Sequence, residues 1–361
     1  MRLARGLLLV TFVLLLAVAC GGSFHRNCSA IVLRAMPTKG QQVTPAGMQT
    51  AQQIVESRVN KLGVSSPQVE IHGDELVIQY GGTPDPDEVA HIAGAVGQLQ
   101  IFDFEPSLEP PTVSANQQPT PFPSFYKLLK AVQSRADKGS PQAYYLFKTK
   151  GSHSLLHGPD SSVRQLLSPY RAGKQPPHTV VLKVPAKTEL VRCAEALTGG
   201  CPGAGSNGTS TSSTYWYLFN GSPALTGKDL VESGIAAEVD ANSGRPIVTL
   251  QFTRRGSQAF RRITEAEYNR GRVNAGQAGQ LTATNANIIA SYAGHNAIVL
   301  DGQLKETPYI DYTDSSLSQG IVGNAQIVEP STSVAKDTAL ILQSGSLPYT
   351  FEQVAPAGCA G

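Results

Sequence analysis

The same local pattern, a helix that ends at glycine and is followed by proline and a strand, occurs near both ends of this 361-residue chain. The first helix ends at Gly63, with Pro67 shortly after it. The last helix ends at Gly345, and Pro348 follows. Glycine stops a helix because it accepts a left-handed backbone, and proline cannot continue one. Two such units so far apart predict that the terminal segments share one sheet and that the residues between them are an insertion.

The N-terminal region has the order strand, helix, two strands, helix and strand. Alternating apolar residues surround Gly73-Asp74, which predicts a two-residue hairpin turn. This order is that of a ferredoxin-like unit, in which two helices cover one face of an antiparallel sheet. The predicted elements are a strand at 29–37, a helix at 46–62, a hairpin at 68–82, a helix at 86–99 and a strand at 100–106.

The middle of the chain is less regular than its ends. Residues 107–124 are rich in proline and lack apolar periodicity, so they predict a linker or surface excursion. The pattern sharpens again with a strand at 245–252, a helix at 253–271 and a hairpin around Asp301-Gly302, the dipeptide suited to a type I′ turn. The final helix has Ser331 or Ser333 available as its N-cap.

The N-terminus has the composition of an export signal. Arg2 and Arg5 precede an apolar run over residues 7–19, which is short of the roughly 20 residues that a membrane span needs. The sequence Ala-Val-Ala-Cys ending at Cys20 resembles a bacterial lipobox, in which the cysteine becomes the lipidated first residue. We therefore predict a lipid anchor on the extracytoplasmic face of the cell membrane. An uncleaved single anchor is the alternative.

Charge argues against several kinds of partner. Removal of the leader with its two arginines brings the formal net charge from +2 to zero. No basic tract or charge block predicts binding to nucleic acid or to an anionic membrane surface. No later apolar stretch is long enough for a second membrane span.

Outside the cytoplasm, cysteines tend to form disulfide bonds. Lipidation of Cys20 leaves an even number, which allows three connectivities. We predict that Cys193 pairs with Cys201 across a short Gly-rich loop, and that Cys28 pairs with Cys359 and joins the two ends of the chain.

Candidate catalytic and metal-binding groups are weak. His153, His157 and Asp160 have a spacing that suits metal ligands on a helix, but glycines bracket them as a loop. Residues 240–251 begin like a calcium loop with Asp240, yet glutamine stands where a bidentate glutamate is needed, so a hairpin turn is favoured. No nucleophile elbow, phosphate loop or dinucleotide fingerprint occurs. We expect no enzymatic activity, no metal and no cofactor.

The single tryptophan, Trp216, lies in the apolar sequence TYWYLF. Core packing is its predicted role. The alternative is a peptide-binding surface, because apolar strand edges recruit extended chains.

The sequence AQQIVESRVNKLGVSSPQVEIHGDELVIQYGG resembles the start of the first large periplasmic domain of SecD, a subunit of the bacterial Sec preprotein translocase. In that family a helix with an Arg-Val-(Asn/Asp)-x-Leu-Gly-Val core precedes a hairpin. The matching residues here are Arg58, Val59, Asn60, Leu62, Gly63 and Val64. Further segments resemble the head subdomain of that domain and its return to the base, in the family order: 223–238, 244–260, 297–310 and 339–349.

The resemblance implies an α+β fold with a ferredoxin-like base subdomain, formed by the N- and C-terminal segments, and an inserted α+β head subdomain. The implied divisions are a lipoprotein signal peptide (1–19), a tether (20–30), the first part of the base (31–107), a Pro/Gly-rich insert with a short helix and strands (108–214), the SecD-like head (215–327) and the return to the base (328–361). A segment near 268–295 is expanded and matches no part of the family pattern.

The implied function is that of a membrane-anchored accessory in preprotein translocation, which contacts unfolded preproteins or components of the Sec translocase. The family's bundle of transmembrane helices has no counterpart in this sequence, so we expect no proton-driven motor. The candidate contact positions are those matching the head motifs: Leu225, Thr226, Gly227, Phe252, Phe260, Asp301, Gly302 and Pro308. A structural or interaction lipoprotein that retains the fold but has no export role is the alternative.

Overall fold

The computed structural model of the protein describes residues 28–358, apart from residues 37–41, 83, 116, 134–140, 142, 195–199 and 205–213. The predicted signal peptide, Cys20 and Cys359 lie outside the described residues. The lipid anchor and the Cys28–Cys359 pairing therefore remain predictions.

Helices and strands are mixed along the described part of the chain. The helices are α1 (Pro45–Lys61), α2 (Pro86–Gly94), α3 (Phe104–Ser107), α4 (Phe125–Gln133), α5 (Val163–Leu166), α6 (Arg254–Gln277), α7 (Ala286–Tyr292) and α8 (Thr332–Gln343). The strands are β1 (Cys28–Met36), β2 (Ser65–His72), β3 (Glu75–Gly81), β4 (Leu99–Asp103), β5 (Ala143–Lys148), β6 (Leu155–Asp160), β7 (Thr179–Val184), β8 (Thr188–Ala194), β9 (Thr214–Asn220), β10 (Leu225–Thr226), β11 (Leu230–Val239), β12 (Pro246–Phe252), β13 (Gly294–Leu300), β14 (Gln303–Glu306), β15 (Tyr309–Ile310), β16 (Ala325–Val328) and β17 (Thr350–Gly358).

The described residues form two compact units. The first unit consists of 28–36, 43–95 and 348–358, and the second unit contains residues 96–347. In the first unit a four-stranded sheet has the order β17-β1-β3-β2, and every neighbouring pair is antiparallel. The prediction that the two ends of the chain share one sheet is therefore confirmed, and so is the ferredoxin-like order of its elements.

One face of this sheet is apolar and packs against α1 and α2. The hairpin of β2 and β3 turns at the predicted Gly73-Asp74, where Gly73 has a φ of 68°. Alternate residues of β1 and β3 are buried, and each helix buries one side, as the period of each element requires. The buried apolar residues are Ile31, Leu33 and Ala35 in β1, Leu76, Ile78 and Tyr80 in β3, Met48, Ala51, Val55 and Val59 in α1, and Val89, Ala90, Ile92 and Ala93 in α2.

A buried arginine joins the two helices of the first unit. Arg58 on α1 is fully buried, and its Nη1 donates to the carbonyl oxygens of Ile92 (3.2 Å), Ala93 (3.3 Å) and Ala95 at the C-terminal end of α2. These carbonyls have no partner within the helix, so a cation satisfies both their hydrogen bonds and the helix dipole. Arg58, one of the residues that carry the family resemblance, therefore caps the C-terminal end of α2.

Residues 100–106, predicted as the last strand of the base, belong instead to the second unit. They form most of β4, which pairs with β13 and β10, followed by α3. Four consecutive residues of β4 are buried. A strand that is apolar on both faces needs cover on both, and a central position in a larger sheet supplies it. The strand that completes the base sheet is β17, which corrects the predicted boundary at 107.

The terminal helix α8 also belongs to the second unit, so the return to the base begins at Pro348 rather than at 328. Its buried residues Ala335, Ala339 and Leu342 share a core with β11 and β12. Ser331 is its N-cap and accepts a hydrogen bond from the amide of Val334 (3.3 Å). Of the two caps predicted, the first is therefore the one used.

The described residues of the second unit form three sheets. The largest has the order β10-β4-β13-β14-β8-β9, with β15 paired to β13, and the smaller ones have the orders β11-β12-β16 and β6-β5-β7. Strands β8 and β9 form an antiparallel pair, and the predicted division at 214/215 falls after the first residue of β9 and so separates most of β9 from its partner. The Asp301-Gly302 turn joins β13 to β14 with a positive φ at both residues, as a type I′ turn requires.

The long helix α6 packs against β13. It begins after Thr253, whose hydroxyl accepts a hydrogen bond from the amide of Gly256 (3.1 Å). Its buried side includes Ala259 and Phe260, which share a core with β12 and α8. Within the described part of the chain, no helix is both long enough and apolar enough to cross a bilayer.

Candidate functional site

Three of the four apolar residues among the predicted contact positions are buried. Leu225, Phe252 and Phe260 lie in the core that β4, β12, α6 and α8 share, and the rings of Phe252 and Phe260 are 4.9 Å apart. Their side chains stabilise this core in the structure. Their role as contact residues stays a prediction.

The polar and glycine positions shape two turns. Thr226 and Asp229 form a capping box, in which Asp229 Oδ2 accepts from the amide of Thr226 (2.9 Å) around the turn that contains Gly227. Asp301 accepts hydrogen bonds from the amides of Gly97 (3.0 Å) and Gln98 (2.6 Å), which fixes the turn that it shares with Gly302.

Pro308 is the exposed apolar member of the predicted set, and its carbonyl accepts a hydrogen bond from the amide of Asn296 (3.1 Å). The eight positions thus lie in a core, in two turns and next to a strand end. The structure does not gather them into one exposed surface.

A surface of half-buried aromatic side chains lies where α4 meets β5 and β9. We call it the aromatic patch; its members are Phe122, Phe125, Tyr126, Tyr145 and Trp216. Phe125 stacks on Trp216 with ring centroids 4.6 Å apart and planes 21° apart, and it meets Tyr145 edge-on at 4.9 Å. These contacts fix the rings beforehand, so little rotamer freedom is lost when a partner binds to them.

Polar groups border one end of the aromatic patch. His153 stacks on Tyr126 at 4.2 Å, and Lys130 Nζ lies 5.8 Å from the centroid of the same ring. Burial raises the pKa of Tyr145 to about 12, so its hydroxyl stays neutral at physiological pH. The patch therefore offers ring faces with a few hydrogen-bonding tips, the composition that dominates protein interfaces.

Sequence reasoning found Trp216 but missed its partners. The signal was present in the sequence Phe-Pro-Ser-Phe-Tyr at 122–126, where three aromatic residues occur within five positions. Phe122 pairs by its backbone with Trp216 as an isolated bridge, which brings the two segments together. Trp216 thus packs against its neighbours and also contributes to a surface. Its role in a peptide-binding surface stays a prediction.

The two histidines that were weighed as metal ligands do not converge. His153 contacts Tyr126, whereas His157 Nε2 lies 3.3 Å from Asp160 Oδ2. Across the described residues, no group of three or more His, Cys, Asp or Glu is arranged to hold a metal ion. Asp240 accepts from the amides of Asn242 and Ser243 in the turn between β11 and β12, so the hairpin interpretation is confirmed.

A buried polar cluster that the sequence analysis missed lies between α6, β4 and β13. Arg270 donates to Asp103 (2.6 Å) and to Glu105 (2.9 Å), and Glu105 also contacts His295 Nδ1 at 2.6 Å. Glu267 is fully buried beside this network, and burial and then the charge of Asp103 raise its pKa to about 9.

A second cluster joins β14, β16 and α8. Glu329 is buried, accepts from Thr338 Oγ1 (2.8 Å) and lies 2.9 Å from Lys305 Nζ. The neighbouring Glu306 accepts from the amide of Val328 (3.0 Å), and burial raises its pKa to about 7. Both clusters are far better suited to holding elements together than to chemistry on a substrate, because each carboxylate already has an internal partner or a proton.

One predicted disulfide bond is present. Cys193 and Cys201 are bonded and both are buried against Tyr217, whose hydroxyl donates to the carbonyl of Pro202 (2.6 Å).

Two protein-family models match the chain. The model of the SecDF P1 head subdomain matches residues 206–349, and that of the N-terminal part of the P1 domain of protein translocase subunit SecDF matches residues 48–105. The chain is therefore similar to both parts of the SecD P1 domain. Both matched ranges follow the order expected from the resemblance. Most of the aromatic patch lies between them, because Phe122, Phe125, Tyr126 and Tyr145 fall in neither range.

Relatives of the chain are named as subunits of protein translocase. Protein translocase subunit SecD of Synechocystis sp. is 24% identical over 333 residues, which cover 91% of this chain and 52% of that protein. SecDF of Thermus thermophilus is 35% identical over 134 residues, which cover 37% of this chain and 14% of that protein. The chain thus spans about half the length of the Synechocystis SecD.

Solved SecDF structures also match. The structure reported as that of a membrane component SecDF that enhances protein export is 20% identical, with a TM-score of 0.43 over 90% of this chain and 98% of that chain. SecDF in a super-membrane-facing form is 20% identical, with a TM-score of 0.45 over 91% of this chain and 30% of that chain.

Proposed function

We propose that this protein acts in preprotein translocation on the extracytoplasmic face of the membrane, where it contacts unfolded exported chains or components of the Sec translocase. The observation that carries the proposal is the ordered match of the chain to both parts of the SecD P1 domain. Relatives that match most of the chain are named as translocase subunits, which supports the same role.

The aromatic patch is the surface we assign to an unfolded chain. An exported polypeptide exposes apolar and aromatic side chains that a folded protein hides, and half-buried rings can bind them without a fixed sequence. Phe125, Tyr145 and Trp216 are held by one another, which limits the entropy lost on binding. The eight positions predicted from the head motifs lie outside this patch, and most of them build turns and a core.

We also retain the lipid anchor at Cys20 as part of the proposal, because a tether keeps the patch near chains that emerge from the membrane. Mass spectrometry of the mature N-terminus tests it directly. A diacylglyceryl modification on Cys20 is expected, and a chain that still begins at Met1 contradicts it.

Photocrosslinking in cells tests the role in export. A photoreactive amino acid is placed at Tyr126 or at Trp216, and, as a matched control, at the exposed Gln53 on α1. Export substrates and Sec components are expected to crosslink from the first two positions and not from the control. Export is then blocked, which should deplete adducts with newly made chains.

Two results contradict the proposal. Adducts that form equally at Gln53 would show that proximity, not the patch, governs contact. A single stable partner unrelated to export would favour a structural or interaction lipoprotein instead.

A further inference from the structure

The exposed side of α6 carries an unusual concentration of arginine. Five of its six arginines are exposed, whereas Arg270 is engaged in the buried cluster. At about 100° per residue the five fall within an arc of roughly 120°, and at 1.5 Å per residue they extend over about 27 Å. We call this surface the arginine face; it consists of Arg254, Arg255, Arg261, Arg262 and Arg272.

Most of this charge is not neutralised within the molecule. Among the described residues, no carboxylate lies within 4.0 Å of Arg254, Arg262 or Arg272. Glu265 is the carboxylate of α6 on the same side, and it is half-buried. The face therefore carries a net positive charge although the chain as a whole is close to neutral.

The remaining two arginines have weak or uncharged partners. Arg255 Nε lies 3.7 Å from Asp229 Oδ1, but the arginine side chain is 91% exposed, so solvent screens this pair. Arg261 Nε donates to the carbonyl of Gln319 (2.8 Å), which orients the guanidinium without neutralising it. Both cations remain available to an anionic partner.

The C-terminal end of the same face is apolar. Val273 is 58% exposed and Leu281 is 40% exposed. Gly276 lies one helical turn after Arg272 and therefore on the same side of α6. A Cβ added to Gly276 would lie 3.9 Å from Leu281 Cδ1, so Leu281 is next to this side of the helix. A stripe of cations thus ends in exposed aliphatic side chains.

We propose that the arginine face, with Val273 and Leu281, binds the surface of an anionic phospholipid bilayer. A guanidinium pairs with phosphate through two parallel hydrogen bonds, which favours headgroups over a diffuse negative surface. A helix with a cationic side and aliphatic side chains beside it lies in the interface, where the aliphatic groups enter the headgroup region. An acidic protein accounts for the arginines but not for the aliphatic end. This inference does not depend on a role in export.

The expected effect follows from the number of cations. Each arginine near an anionic leaflet raises the ratio of bilayer-apposed to free α6 about fivefold. Salt weakens this attraction because it shortens the Debye length. Removal of three arginines should therefore lower the ratio of bilayer-apposed to free α6 by roughly a hundredfold.

The test uses the full chain and a local readout, because an N-terminal anchor can attach any variant to vesicles. A fluorescent amino acid is placed at the exposed Gln258 within the arginine face, and lipids with a headgroup quencher are added. Strong quenching is expected with vesicles of phosphatidylcholine and phosphatidylglycerol at about 0.05 M NaCl, and little at about 0.5 M. A probe at the exposed Ser168 should stay unquenched.

Matched charge variants decide the outcome. The variant R254Q/R262Q/R272Q should lose the quenching at Gln258, whereas R164Q/R171Q/K174Q, which removes the same charge from another exposed region, should retain it. Equal quenching on pure phosphatidylcholine, no quenching on anionic vesicles, or indifference to the first variant overturns the proposal. Binding of polyglutamate without binding of anionic vesicles also overturns it and indicates an acidic protein partner.

Discussion

Glu267 gives the sharpest test of the buried architecture. It lies on the inner side of α6 with no solvent exposure, and its Oε2 accepts a hydrogen bond from Asn296 Nδ2 at 3.4 Å. Three oxygens at this place, Glu267 Oε1, Asn296 Oδ1 and Asp103 Oδ1, have no hydrogen-bond donor. A proton on Glu267 supplies one, which agrees with the rise in its pKa to about 9 that burial and then Asp103 cause.

The sign and size of the effect follow from proton binding. Below pH 4.5 the side chain is protonated in the folded and in the unfolded chain, and its contribution to stability is fully present. As the pH rises from 4.5 towards 9, the unfolded chain releases the proton while the folded chain keeps it. The free energy of unfolding therefore falls by about 1.4 kcal/mol per pH unit, or roughly 3 kcal/mol by pH 7.

Glu267→Gln removes this titration, because the amide is neutral and still donates a hydrogen bond. We expect the variant and the wild type to be similar in stability near pH 4.5, and the variant to be more stable by roughly 3 kcal/mol at pH 7. The difference should keep growing up to about pH 9. Urea denaturation measures it, with fluorescence of Trp216, the single tryptophan, as a probe of the second unit.

Glu306→Gln is the matched control. Burial raises the pKa of Glu306 only to about 7, and the amide oxygen can still accept from Val328. Its advantage over the wild type should therefore stop growing near pH 7, whereas that of Glu267→Gln continues. If the difference in free energy of unfolding between Glu267→Gln and the wild type is constant between pH 5 and pH 8.5, Glu267 is not protonated in the folded chain and the reasoning is wrong.

Three further variants test the remaining structure. Arg58→Met should destabilise the first unit by about 3 kcal/mol, because buried carbonyls at the end of α2 lose a charged donor; urea denaturation followed by circular dichroism measures it. Tyr349→Phe should cost about 1 kcal/mol, since its hydroxyl accepts from the amide of Thr44 (3.0 Å), and hydrogen exchange of that amide should quicken. Joint replacement of Cys193 and Cys201 by serine should cost about 2.5 kcal/mol for a loop of this length, and in the wild type both should resist alkylation until a reductant is added.

The sequence was most informative where glycine and proline fixed the backbone. The turn at Gly73-Asp74 and the turn at Asp301-Gly302 lie where the dipeptides predicted them, because few other residues accept a positive φ. The shared sheet of β1 and β17 followed from the matching helix ends at Gly63 and Gly345. The placement of β4 did not follow, since an apolar strand can complete either of two sheets and only long-range packing chooses.

The site residues were harder to predict for a different reason. A contact position chosen by family motif need not be exposed, and Leu225, Phe252 and Phe260 proved to be core residues. The buried Glu267 had a detectable signal, because it continues the apolar side of α6 four residues beyond Ile263. A search for contiguous charged stretches in the sequence also missed the arginine face. That face forms only when the helix brings arginines that are distant in sequence to one side.

Helix α6 thus has two sides with separable consequences. Glu267 titrates inside, where its proton affects stability, and the arginine face acts outside, where solvent screens its charges and their effect on stability is small. Glu267→Gln should therefore change the free energy of unfolding and leave quenching at Gln258 unaltered. R254Q/R262Q/R272Q should do the reverse. If both variants change both quantities, the two sides are coupled through the helix, and neither result can be assigned to one of them alone.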